Sequence, residues 1–283
     1  VRRTKFAKTG VARKDWSATE AGRRAAGRDD PFFRLGDLSM KKFSRACFGM
    51  LLAAALVPQA AFAQEAEEDS DGITITGSAT VVSDYRFRGF SQSNEEAAIQ
   101  GGFTIAHDSG LYAGTWGSSI GFNNGTEIDV FAGFAKEVSS GLTADIGATL
   151  YLYPGASNTT VIEPYASLTG AIGPATLKGG IAWAPGGQDS LGDASAVYLY
   201  SDLGVQIPDT PVKLKAHLGY AKSDSFLGGL DGEVLDYSVG VDFTWKVLTL
   251  GVAYVNTDAP RTLGYKEAVG ADGAVVFSLG AAF

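Results

Sequence analysis

Cysteine is almost missing from this 283-residue chain, and the one present, Cys47, falls in an apolar leader segment. The body after residue 63 therefore has no thiol, which excludes a disulfide framework and a thiolate metal site. Histidine is nearly as scarce: His107 and His217 alone are too few for a zinc centre, so no metal is expected. His107 falls in a tight turn, and His217 lies between Lys215 and Gly219 with no serine in a nucleophile motif nearby, so an outer-membrane hydrolase is the last of the alternatives, behind a channel and a closed barrel. No apolar run after Ala63 approaches the roughly 20 residues of a spanning helix, so a membrane crossing here would have to use strands. Phosphate loops, cofactor fingerprints and basic nucleic-acid patches are also lacking; the sequence asks for no cofactor and no nucleic-acid partner.

What is present divides the chain by charge. Residues 1–63 carry 13 basic and 5 acidic side chains, and the remainder carries 10 basic and 26 acidic ones, within an overall net charge of -8. A basic leader before an acidic body fits an exported protein. Met40-Lys41-Lys42-Phe43-Ser44-Arg45 is a positive n-region, Ala46 to Val57 a short apolar h-region, and Ala61-Phe62-Ala63 a small-x-small cleavage site. Four segments are expected: an upstream extension at 1–39 outside the working protein, a signal peptide at 40–63, an acidic flexible tail at 64–75, and a folded body at 76–283.

That body alternates. From Leu235 to Lys246, Leu235, Tyr237, Val239, Val241, Phe243 and Trp245 share one face, and Asp236, Ser238, Gly240, Asp242, Thr244 and Lys246 share the other. Similar runs number about twelve, near 76–88, 96–107, 111–120, 127–137, 142–153, 162–170, 174–184, 196–207, 211–222, 235–246, 247–256 and 273–283. Their connections alternate between short turns and long loops rich in Gly, Asp and Asn. Outward aromatics fall at both ends: Phe87, Trp183, Tyr220, Tyr237 and Tyr254 toward the long loops, and Phe134, Trp245 and Phe283 toward the short turns. The expected fold is all-β, a transmembrane antiparallel up-and-down β-barrel of about 12 strands, with long loops on one rim. A soluble sandwich has no reason to keep that parity of connections. Pro164 is the exception, because it should break a ladder, and it argues for a later start to the sixth strand.

The run Val82-Ser83-Asp84-Tyr85-Arg86-Phe87-Arg88-Gly89, with Ser91-Gln92-Ser93, Gln100-Gly101-Gly102-Phe103, Tyr112-Ala113-Gly114-Thr115-Trp116-Gly117-Ser118 and Glu127-Ile128-Asp129, resembles the TorF-type porin family of bacterial outer-membrane proteins. The likeness is dense from about Gly77 to Pro154 and thins after Pro185. It implies an outer-membrane barrel with a pore, and no catalytic residues.

The inward faces expected from the alternation are mixed in sign. Asp84, Glu127, Asp129, Asp145, Glu163, Asp202, Asp236 and Asp242 stand against Arg86, Arg88, Lys178, Lys213, Lys215 and Lys246. With His217, the expected pore lining is Asp84, Arg86, Arg88, Asp129, Asp145, Lys178, Asp202, Lys213, Lys215, His217, Asp236 and Asp242. Inward Gly102, Gly147, Gly180, Gly204, Gly219 and Gly240 point to open space, while inward Tyr151, Tyr153, Tyr165, Tyr198 and Tyr200 point to a constriction or a stacking track. The reading is a porin-like channel of the outer membrane for small polar solutes or ions, reached by export on the signal peptide. A closed structural or receptor barrel is the alternative, because a lumen this narrow can be filled by side chains and the acidic loops at Asp189, Asp193, Asp224, Asp231 and Glu233 suit surface contacts. The expected partners are outer-membrane lipid, an unidentified small polar solute, and the barrel assembly machinery, the last through a terminal strand that ends on Phe283 as its signal.

Overall fold

A computed structural model describes residues 72–283; the expected extension, signal peptide and residues 64–71 of the acidic tail lie outside the described residues. The chain forms β1 (Ile73–Val82), β2 (Arg86–Phe87), β3 (Phe90–Ser91), β4 (Ala98–His107), β5 (Leu111–Ser119), β6 (Thr126–Ser139), β7 (Leu142–Leu152), β8 (Val161–Ile172), β9 (Ala175–Ala184), β10 (Ala196–Gln206), β11 (Val212–Ser223), β12 (Glu233–Trp245), β13 (Leu248–Thr257), a single helical turn α1 (Tyr265–Ala268) and β14 (Ala274–Ala282). The twelve long strands close into one antiparallel barrel in which each pairs with its sequence neighbour and β1 meets β14; β2 and β3 form a separate hairpin. Among the described residues no helix is long and apolar enough to cross a membrane.

Period two decides which side of the wall each residue faces. On β12 the outward row Leu235, Tyr237, Val239, Val241, Phe243 pairs outward rows on both sides: Leu214 and Val252 flank Val241, for example. Leu218, Val239, Leu250, Phe277 and Leu279 are among the apolar side chains left exposed on that surface. The inward row of β12, Asp236, Ser238, Gly240, Asp242 and Thr244, is less exposed than its outward neighbours. Connections alternate as the sequence predicts, with long loops at 83–97, 120–125, 153–160, 185–195, 224–232 and 258–273 on one rim, and turns of two to five residues on the other.

Three boundaries differ from expectation. β1 starts at Ile73, inside the span assigned to the acidic tail, and it ends at Val82 rather than running on to Arg88. Pro164 does not delay β8, which begins at Val161. Its backbone points toward β9, and the β8–β9 ladder begins only at Tyr165, so no pairing donor is lost. The open stretch is covered by Gln188, whose side chain accepts from Ile162 N at 2.6 Å and donates to Ile162 O at 3.1 Å, as a neighbouring strand would.

The seam between first and last strands is short. β1 and β14 pair from Ser78↔Ala282 to Val82↔Ser278. Phe283 extends the seam by one step, since Gly77 N donates to its carbonyl at 2.6 Å and its N–H donates to Gly77 O at 2.9 Å. Its ring lies on Gly77, where a Cβ would sit 2.7 Å from Phe283 Cε2.

Candidate functional site

The lumen is not uniform, because the segment after β1 folds into it. Arg88 (φ 46) and Gly89 (φ 83) are the two positive-φ corners of a type I′ turn joining β2 to β3, with Phe87 opposite Phe90. Glycine is required at 89: a Cβ there would collide with Thr257 Cγ2 and come within 3.2 Å of Asp236 Cβ on the facing wall. The hairpin root is tied by Asp84, which takes Ser91 Oγ at 2.6 Å and pairs with Arg86, while Ser93 Oγ receives Tyr85 N at 2.9 Å. Arg86 also donates to the carbonyls of Gly270 and Asp272, the latter at 3.0 Å, which straps loop 258–273 over the hairpin.

Side chains of the hairpin fill the long-loop half of the lumen. Phe87 is 2 % exposed and packs with Tyr85, Tyr151, Val161 and Leu191; Phe90 is seated among Val234, Ala259 and Ala271. Burying each ring contributes about 2 kcal/mol. Arg88 reaches Glu163 on β8, five strands round the barrel from β1, and holds both carboxylate oxygens at 2.8 and 2.9 Å. Its guanidinium lies 3.9 Å from the centre of the Tyr198 ring. Removing one member of such a buried pair costs about 3–5 kcal/mol, since the other charge is left without a partner. Tyr85 donates to Glu127 Oε1 at 2.9 Å, and burial, then the Glu127 and Asp129 carboxylates, push its phenol well above its usual value.

Below the hairpin the wall is arranged differently. Rings lie flat over glycines of the adjacent strand: Tyr112 over Gly133, Tyr165 over Gly147, Tyr200 over Gly180 and Tyr198 over Gly219, so that a Cβ at any of these glycines would strike the ring. Inward glycines are therefore seats for tyrosines, not open space, and Gly204 likewise receives the Lys213 stem. At Gly102 and Gly240 it is the backbone of the next strand that comes close. The tyrosines lie against the wall instead of projecting across the bore. Tyr112 donates to Asp145 at 2.6 Å, and Lys178 Nζ is 5.8 Å from the Tyr200 ring. Lys215 pairs with Asp242 at 2.7 Å while its side chain stays 40 % exposed. His217 is enclosed: Nδ1 meets Asp202 at 2.6 Å, and Nε2 meets Tyr198 Oη at 2.8 Å and Asp236 at 3.0 Å. Both its nitrogens are engaged by acids and a phenol, and no serine hydroxyl bonds to it among the described residues.

The structure puts Asp129, Asp145, Lys178, Asp202, Lys213, Lys215, His217, Asp236 and Asp242 on inward strand positions. Asp84, Arg86 and Arg88 are not strand residues; they sit on the infolded hairpin. Phe87, expected in the outer aromatic belt, is buried there instead. Lys246 also leaves the lumen, since it is a turn residue (φ 55) with Nζ 5.2 Å from the Trp245 ring. On the strands, seven of the eight expected acids remain inward but only Lys178, Lys213 and Lys215 of the six bases. Sequence reasoning missed the hairpin, and with it Phe90 and Gln92 as buried groups. The available signal was Arg88-Gly89 between two phenylalanines, a turn pair flanked by apolar residues.

No curated protein matches the chain. Among solved structures, one titled as a NanC porin in a rhombohedral crystal form superposes with a TM-score of 0.52 at 11 % identity, over 74 % of this chain and 99 % of that one. A second, titled KdgM porin, gives 0.51 at 9 % identity over 74 % and 98 %. At such identities the likeness is one of fold, a twelve-stranded closed barrel. Residues 65–283 match the family described as "Bacterial protein of unknown function (Gcw_chp)", and the chain belongs to that family.

Proposed function

We propose that this protein is a porin-like channel of a bacterial outer membrane, passing small polar solutes or ions, with residues 83–97 closing its outer mouth in the conformation described here. One observation carries the reading: on the short-turn side of the hairpin the lumen is lined by charged side chains that remain in reach of water, Lys215 and Asp202 among them, and not by an apolar core. The apolar outward surface supports membrane insertion, as do the exposed Trp183, Tyr237 and Tyr254 toward one rim and Trp245 and Phe283 toward the other. So do the fold shared with two proteins titled porins and the TorF-type resemblance of the first strands. Outer-membrane lipid is then the surrounding solvent, and the barrel assembly machinery is the partner of the strand ending at Phe283. No catalytic role is assigned, because neither nitrogen of His217 is free to serve a nucleophile.

A second reading, a closed barrel acting through its loops, is favoured by how completely the hairpin is packed. Conductance in planar bilayers separates the two. The purified protein and a variant with 84–96 replaced by a short Gly/Ser linker are compared, each shown to be folded by its heat-modifiable migration. Ion current in the linker variant supports the channel. Silence of both folded proteins refutes it and leaves the closed barrel.

A further inference from the structure

The wall that the hairpin covers is acidic, and its charges do not balance. Glu127 and Asp129 lie two residues apart on the inward face of β6, close to its long-loop end, and Glu163 has the matching place on β8. All three are buried, Glu127 to 0 % exposure. Arg88 is the one cation that pairs with any of them among the described residues, and it is committed to Glu163. Asp129 Oδ1 has no hydrogen-bond partner, and neither do Arg88 Nε and Nη1. Tyr85 satisfies one oxygen of Glu127, and Tyr151 donates to Glu163 at 3.2 Å. A carboxylate held dry without a counter-charge is strongly unfavourable, so closure works against the solvation of this wall. The hairpin stays in place through its rings and the Arg88 contacts, and the acids beneath it favour its departure.

We propose that Glu127, Asp129 and Glu163 form the selectivity ring of this channel, covered by a displaceable hairpin, and that the mouth they line when uncovered admits cationic over anionic solutes. The proposal rests on the channel reading and adds the solute class. Departure of the hairpin removes Arg88, the one base paired with these acids among the described residues, and leaves three carboxylates facing a bore that low-dielectric walls make sensitive to their sign. The basic side chains that oppose this, Lys213 and Lys215, stand on the first four residues of β11, at the short-turn end, and Lys215 is already paired with Asp242. They are remote from the level of Glu127, Asp129 and Glu163.

Reversal potentials in a KCl gradient test the idea on the purified full chain in planar bilayers. Arg88→Ala should increase the time spent open and leave the current cation-selective. Glu127→Gln/Asp129→Asn in the Arg88→Ala background should lower the K+ over Cl− permeability ratio by about twofold or more, while Lys213→Ala/Lys215→Ala in the same background should leave that ratio unchanged. An anion preference that the lysine pair removes, or a ratio unaffected by the carboxylate pair, overturns the ring while leaving the channel standing. Silence of every variant, with heat-modifiable migration showing folded barrels, overturns the channel reading and the ring with it.

Discussion

Placing one arginine on each of two adjacent residues of β12 should have opposite consequences, because Ser238 faces inward and Val239 outward. Val239 is the central residue of the thirteen, and 57 % of it is exposed on the outer surface between Ala216 and Tyr254. Six residues separate it from either end of the strand, roughly 20 Å of strand and, at a tilt near 40°, about 15 Å of membrane depth. An arginine side chain spans only about half that depth, so Val239→Arg cannot bring its guanidinium to either interface. The expected cost is about 2–4 kcal/mol, equivalent to roughly 30- to 900-fold in the folding equilibrium. Ser238→Arg places the same group in the lumen opposite His217, where Asp202 and Asp236 stand, and should shift stability by less than about 1 kcal/mol. Gly240 is a poorer inward control, since a Cβ there would lie 2.8 Å from the Val252 carbonyl oxygen. The assay is reversible guanidinium unfolding in lipid vesicles followed by tryptophan fluorescence. Equal midpoint shifts for the two variants would refute the facing assignment and, with it, the membrane reading of the outer surface.

Deleting Phe283 removes the last two hydrogen bonds of the β1–β14 seam and the ring over Gly77, and should leave the protein out of the membrane fraction on cell fractionation; normal insertion would show that the seam closes without it. Gly219→Ala forces a methyl group against the Tyr198 ring that carries Arg88, and should lower stability by about 1–3 kcal/mol and raise the open probability in bilayers, whereas an unchanged open probability would mean that Tyr198 does not support the hairpin. Pro164→Ala should change the unfolding midpoint by no more than about 0.5 kcal/mol, while Gln188→Ala should cost about 1 kcal/mol because Ile162 loses its substitute strand partner. The reverse order would mean that the proline itself sets the start of β8.

Much of the barrel was legible because a strand's two faces are written into alternate residues, and the run from Leu235 to Lys246 leaves no ambiguity about which is which. The same periodicity fails where the chain leaves the wall. Val81 to Arg88 alternates apolar and charged residues as well as any strand, yet Ser83 onward turns into the lumen, where Tyr85 and Phe87 find each other and Tyr151 instead of lipid. An extended strand and a hairpin folded across the bore give the same period of two; what separates them is the Arg88-Gly89 turn and the small residues that let it approach the far wall. Pro164 misled for a related reason, since a missing N–H matters only where a partner strand is present to receive it. The inward glycines could not be read alone either: whether glycine means space or a seat depends on the residue opposite, and that register appears only when strands are paired.

The hairpin also changes what the inward charge list means. Taken as a lining of straight strands, eight acids against six bases would give a nearly neutral bore. In the structure Lys246 has gone to the rim and Arg86 and Arg88 belong to the infolded hairpin, so the strand wall holds seven of those acids and three of those bases. On the proposed reading, the lumen's sign therefore depends on where the hairpin sits. With Arg88 in place the acidic level is buried and Glu163 is paired; in the proposed open state it would be hydrated and negative. If the proposed channel and ring hold, the arginine that locks the mouth is also the charge that masks its selectivity, and one side chain then governs both whether solutes enter and which sign of solute the wall favours.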